Sequence, residues 1–147
     1  MHLLPLLGRP LKDDDVIDFL DGMEMDVIYD FDRSHEGQPD KYWAASQKAG
    51  IQLRFDAAQI LHTIFLYIVP NEGFSPYVQR DSDVPIFTTT AEVQAFGEVQ
   101  RLQVSKGRAG FLGVGRDWIR LGFGAYSVHY EFRAGSLALV TVSRNAH

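Results

Sequence analysis

An α+β fold is predicted: an antiparallel sheet built from two helix-then-meander halves, with the helices on one face. Three observations predict it. Short acid- or threonine-capped apolar stretches begin near Asp14 and Thr90 and fit short helices. Apolar and polar residues alternate at Ile51–Phe55 and Val128–Phe132, the period of a half-buried strand. Each alternating strand is followed, five residues after its Phe, by an apolar run starting at Ile60 or Leu137. A helix followed by a meander, occurring twice, favours an antiparallel sheet.

The elements follow in order. Leu7-Gly8-Arg9-Pro10 reads as a turn. Asp13, Asp14 or Asp15 can cap the helix behind it, since an Asp side chain accepts from the free N–H groups of a first turn. Val16, Ile17, Phe19 and Leu20 supply its apolar face and Gly22 its stop. Met25–Phe31 alternates as a strand with Val27, Tyr29 and Phe31 on one side. Arg33–Asp40 is loop by composition, and Tyr42-Trp43 and Gly50 follow it. Ile51–Phe55 is a strand, Asp56–Gln59 a turn, and Ile60–Val69 a longer strand apolar on both faces towards its end, hence central in the sheet. Asn71–Pro85 reads as an irregular connection. Thr88–Thr90 can cap a second helix over Ala91–Phe96, with Gly97 as its end. The stretch Glu98–Gly115 is ambiguous, and its glycines Gly107, Gly110, Gly113 and Gly115 read as turns and bulges between strands. Asp117–Leu121, Val128–Phe132 and Leu137–Val142 are strands, with Ala134-Gly135-Ser136 a turn. The halves fall at about residues 6–70 and 84–144 of a single domain spanning 1–147.

The chain has 147 residues and is 46% hydrophobic and 22% charged. A domain of this size buries enough surface to need neither disulfide nor metal. It has no cysteine, which excludes disulfides, thiolate zinc sites and a cysteine nucleophile. The start lacks a basic leader segment, and the longest apolar run, Ile64–Val69, is too short to span a bilayer. A cytoplasmic protein with no membrane partner is expected. Residues 1–40 hold eleven Asp/Glu against three Lys/Arg, a net of −8, whereas the rest of the chain carries +3. An acidic surface argues against nucleic acid as a partner.

Catalytic chemistry is not legible. No G-x-S-x-G elbow is present. His62 and His129 lie on predicted strands, where satisfied or solvent-facing histidines are the ordinary finding. Asp26, Asp30, Asp32 and Glu36 do not meet the calcium-loop pattern. The glycine cluster lacks the Gly-Lys-Ser/Thr of a phosphate loop. The expectation is therefore no catalytic residue, no metal and no cofactor. Like charges as dense as Asp18, Asp21, Asp26, Asp30, Asp32 and Glu36 repel unless a basic partner relieves them. These acids, with Tyr29 and Tyr42 as aromatic anchors, are the candidate partner-binding residues. The alternative is a small-ligand or enzymatic module with a pocket lined by Trp43, Trp118, Tyr126 and His129.

Leu6-Leu7-Gly8-Arg9-Pro10 before an acid-capped helix, Trp43, Gly50–Asp56, Ile64–Tyr67 and Thr90–Gly97 together carry a resemblance. The chain resembles small bacterial immunity proteins, the cytosolic antidotes to toxins delivered by type VI or contact-dependent secretion. Its repeated helix and meander is also similar to the β-lactamase-inhibitor-protein and outer-membrane-assembly-lipoprotein type of fold. Phe96-Gly97-Glu98-Val99 departs from the Leu-Gly-x-Pro such repeats often carry. The resemblance implies a non-catalytic inhibitor that binds and blocks a cognate toxin or effector, and the acidic N-terminal region implies that this partner is basic.

Overall fold

The computed structural model describes residues 1–30, 40–78, 80–111 and 114–145. Among these, after a short 3-10 turn at Leu4–Leu6, the elements are α1 (Asp14–Gly22), β1 (Val27–Asp30), β2 (Lys41–Ser46), β3 (Ile51–Phe55), β4 (Leu61–Tyr67), α2 (Thr90–Val99), β5 (Gln103–Phe111), β6 (Val114–Gly122), β7 (Tyr126–Arg133) and β8 (Ser136–Arg144). The strands form one antiparallel sheet in the order β1-β2-β3-β4-β8-β7-β6-β5. The fold is α+β, and β4 is central in the sheet, as its two-sided apolar character predicts.

Strand period and register together sort the side chains. One row of paired residues crosses the whole sheet: Val27, Ala44, Leu53, Ile64, Val142, Val128, Leu121 and Val104. The neighbouring row runs Ile28, Trp43, Arg54, Thr63, Ser143, Ser127, Gly122 and Gln103. Successive strand residues point to opposite faces, so the first row supplies core from Ala44 to Leu121, with Val104 partly buried and Val27 exposed at its ends, and the second faces away from it. Val16 and Leu20 of α1 and Val93 of α2 are buried in the same cluster as the first face. Each such buried side chain contributes roughly 1.5–3 kcal/mol. No helix among the described residues is long and apolar enough to cross a membrane.

The connection between β4 and α2 is irregular but tied down. Asp83 accepts from the Leu3 and Leu4 amides at 2.9 Å each, and the buried Tyr130 hydroxyl donates to the Pro85 carbonyl at 2.7 Å. Gly50, at φ 70°, lies where an added Cβ would come within 2.3 Å of the Ser75 carbonyl oxygen.

The α1 cap is Asp13, one of the three aspartates expected to cap it, and its carboxylate accepts from the Asp15 and Val16 amides. Other sequence expectations need correction. α1 ends at Gly22, but the left-handed residue that turns the chain is Glu24, at φ 54°. β1 begins two residues after Met25, and all four of its residues are exposed; Phe31 lies outside the described residues. Tyr42-Trp43 belongs to a strand, β2. α2 does not stop at Gly97 but runs through it. The absence of a side chain lets the helix approach Val104 Cγ2 and Leu121 Cδ2, which an added Cβ would meet at 2.6 and 2.9 Å. Gly107, Gly110 and Gly115 lie in the long strands β5 and β6, with Gly107 against the Trp118 indole; Gly113 lies outside the described residues.

Candidate functional site

The acidic N-terminal region folds into one edge of the sheet and the helix leading to it. Val16 and Leu20, four residues apart, anchor the inner face of α1. That spacing leaves Asp14, Asp18 and Asp21 exposed along the solvent side. Arg9 neutralises part of the cluster, reaching Asp13 Oδ1 at 3.4 Å and pairing with Asp15. Among the described residues no Lys or Arg forms an ion pair with Asp18, Asp21, Asp26 or Asp30.

The turn at Glu24 closes with the Met25 amide donating to the Leu20 carbonyl at 2.9 Å, and the Met25 side chain is buried. This pins the chain just before Asp26 and delivers it to β1. Val27 is 39%, Ile28 65% and Tyr29 45% exposed, three consecutive large apolar residues at the sheet edge. The Tyr29 ring packs on Tyr42 with centroids 4.9 Å apart, and its hydroxyl donates to Asp40 Oδ2 at 2.6 Å. Asp30 lies across from Lys41 in the strand register.

The structure therefore gathers Asp26, Tyr29, Asp30 and Tyr42 at one edge, and puts Asp18 and Asp21 on the helix that precedes it. Asp32 and Glu36 lie outside the described residues. Val27, Ile28 and Asp40 join the site although local sequence pattern does not select them. Their signal is the lack of any strand partner for β1 beyond β2 among the described residues, which is a property of strand order.

The alternative pocket does not form as predicted. Trp43 stacks with Phe65 at 6.2 Å, with the Arg54 guanidinium 6.0 Å from its ring. Trp118 stacks with His129 at 5.4 Å, and Tyr126 with Phe123 at 5.0 Å. β2 and β6 stand five strand spacings apart in the sheet order, about 24 Å at the usual separation, so the two indoles cannot line one pocket. A cleft of about 500 Å³ instead lies between the start of α2 and β5–β6, lined by Thr90, Gln94, Lys106, Arg108, Asp117 and Trp118 among others. Arg108 Nε donates to Asp117 Oδ1 there at 2.8 Å.

The two strand histidines are held below their ordinary pKa, first by burial. For His62 the Arg54 charge adds to this; for His129 Glu131 opposes it and Arg120 adds to it. His62 Nδ1 lies 2.7 Å from the Thr63 hydroxyl. Neither histidine has a carboxylate in hydrogen-bond reach among the described residues, so neither has the orienting group of an activated nucleophile–base pair. Among the described residues no group of three His, Asp or Glu side chains is placed to hold a metal ion. No family model, curated protein or solved structure matches the chain.

Proposed function

We propose that this protein is a non-catalytic cytoplasmic inhibitor, an immunity protein that binds a basic toxin or effector and blocks it. The observation that carries this reading is the acid-framed apolar edge: Val27, Ile28 and Tyr29 exposed between Asp26 and Asp30, on the strand that follows the acidic helix α1. Exposed apolar residues in contiguous array mark interaction surfaces. The acids around them favour a cationic partner by speeding encounter and by repelling wrong partners. The same charge disfavours nucleic acid.

The reading includes a two-halves origin for the sheet, with both helices on its core face. Three registers support it. The β3–β4 and β7–β8 hairpins both shift at matching positions, Arg54/Phe55 and Glu131/Phe132. Trp43 and Trp118 pair with the matching residues Arg54 and Glu131. At the β4–β8 seam, Ile64↔Val142 and Leu66↔Val140 flank Phe65↔Thr141 symmetrically.

The test is affinity capture from the source cells, identification of the captured protein, and binding of the two purified proteins. Inhibition of a basic captured protein, lost when Asp18, Asp21, Asp26 and Asp30 are changed to Asn, supports the reading. Equal inhibition by that variant rejects the acidic edge as the interface. The cleft between α2 and β5–β6 favours a second reading, binding of a small ligand beside Lys106 and Arg108. Protection of those two side chains from chemical modification by a metabolite extract would support it.

A further inference from the structure

An open sheet has two edges, here β1 and β5. Each presents outward-pointing N–H and C=O groups that can template another strand. The edges differ. β5 carries exposed Lys106 and Arg108, and charged side chains of this kind are what keep an edge from recruiting strands. β1 carries Val27, Ile28 and Tyr29 with neither Lys nor Pro, and every one of its residues is exposed. Among the described residues no strand pairs with its outer side.

We propose that β1 is a docking edge, and that a strand of the partner adds to the sheet beside it. The proposal rests on the acidic-edge reading and names its geometry. Ile28 and Asp30 project to one face, with Val27 and Tyr29 on the other; Asp26 stands immediately before the strand. The strand that fits alternates basic and apolar residues. Its Lys or Arg side chains lie across from Asp30 and near Asp26, and its apolar side chains lie against Val27 and Tyr29. Backbone hydrogen bonds then supply affinity and the alternating side chains supply specificity. A second copy of β1 fits poorly, because antiparallel self-pairing brings Asp26 and Asp30 of the two copies together and like charges across a ladder repel.

The test uses the full chain, isotope-labelled for amide NMR, and a short synthetic peptide alternating Lys and Val. Three controls accompany it: the Glu-Val peptide, a Lys-Val peptide N-methylated on every backbone nitrogen, and the exposed-site variant Ile28→Lys. The expected result is that the Lys-Val peptide shifts the amides of Val27–Asp30 and slows the exchange of those that point away from β2 by about tenfold or more. The N-methylated peptide, the Glu-Val peptide and Ile28→Lys should each weaken binding by about tenfold or more. Equal binding by the N-methylated peptide, weakened by salt and by Asp26→Asn with Asp30→Asn, overturns strand addition and leaves the acidic reading standing. Binding by neither Lys-Val peptide also overturns strand addition, while the capture experiment decides the acidic reading separately. A free protein that is dimeric through β1 overturns the proposal too, since the edge is then filled by a second copy.

Discussion

At the residue scale, single positions hold the framework around the site, and two of them make direct predictions. Gly50 combines a left-handed φ with close approach of the Ser75–Tyr77 backbone. Gly50→Ala meets backbone that has no rotamer to escape into, so the cost exceeds the roughly 1–3 kcal/mol of ordinary overpacking; urea denaturation measures it. His129 is held below its ordinary value of 6.5, first by burial. Near that pH the unfolded chain binds more protons than the folded one, so stability rises with pH. Stability should therefore fall as pH drops from neutral through 6.5 and below. His129→Phe should flatten that slope, and adding His62→Gln should flatten it further. An unchanged slope in the double variant would show that neither imidazole is shielded. Neither residue's environment is legible in sequence: alternation places His129 on a strand, but its stacking on Trp118 comes from pairing across β6 and β7.

At the element scale, legibility follows how local the determining interactions are. α1 is readable because its cap, its i, i+4 apolar pair and its length lie within a short span of chain. The identity of the cap among three successive aspartates is not, since all can accept from a first turn and only backbone geometry selects Asp13. Asp13→Ala should cost about 1 kcal/mol, plus the Arg9 contact, whereas Asp14→Ala, exposed and without a capping bond, should be close to neutral; thermal denaturation of the two variants separates them. β2 escapes a pattern reading because Lys41–Ser46 lacks a polar–apolar alternation, most of its side chains being half-buried on either face. α2 outruns its expected end because glycine usually stops helices, while Gly97 is needed for close approach to β5 and β6. β1 has the pattern of an ordinary half-buried strand, and its exposure follows only from its place at the end of the sheet. The candidate site is thus legible as charge and aromatic content, and not as an edge.

At the scale of the whole molecule, the β4–β8 seam joins everything. Ile64 pairs with Leu53 on one side and Val142 on the other, fully buried. Ile64→Ala should cost about 2–5 kcal/mol and lower the stability of the strands on both sides of the seam together. Trp43 on β2 and Trp118 on β6 make natural reporters: variants retaining one tryptophan each should unfold at the same denaturant concentration. Charge is also organised at this scale. The −8 of residues 1–40 is offset by +3 over the rest, and the face away from the core bears Arg54, Arg116, Arg120 and Arg133 with Glu131. Charge is polarised along the chain, and its acidic part contains the exposed apolar strand β1. Exposed charges act over a Debye length of about 8 Å at physiological ionic strength, so the acidic edge should govern association rather than fold. The measurement that bears on this most directly is the association rate constant with the captured basic partner, at low and high salt, for the native protein and for the variant with Asp18, Asp21, Asp26 and Asp30 changed to Asn. Fast, salt-sensitive association is expected for the native protein and association about tenfold slower or more, with little salt dependence, for the variant; equal rates and equal salt dependence for the two proteins would show that the acidic edge takes no part in the encounter.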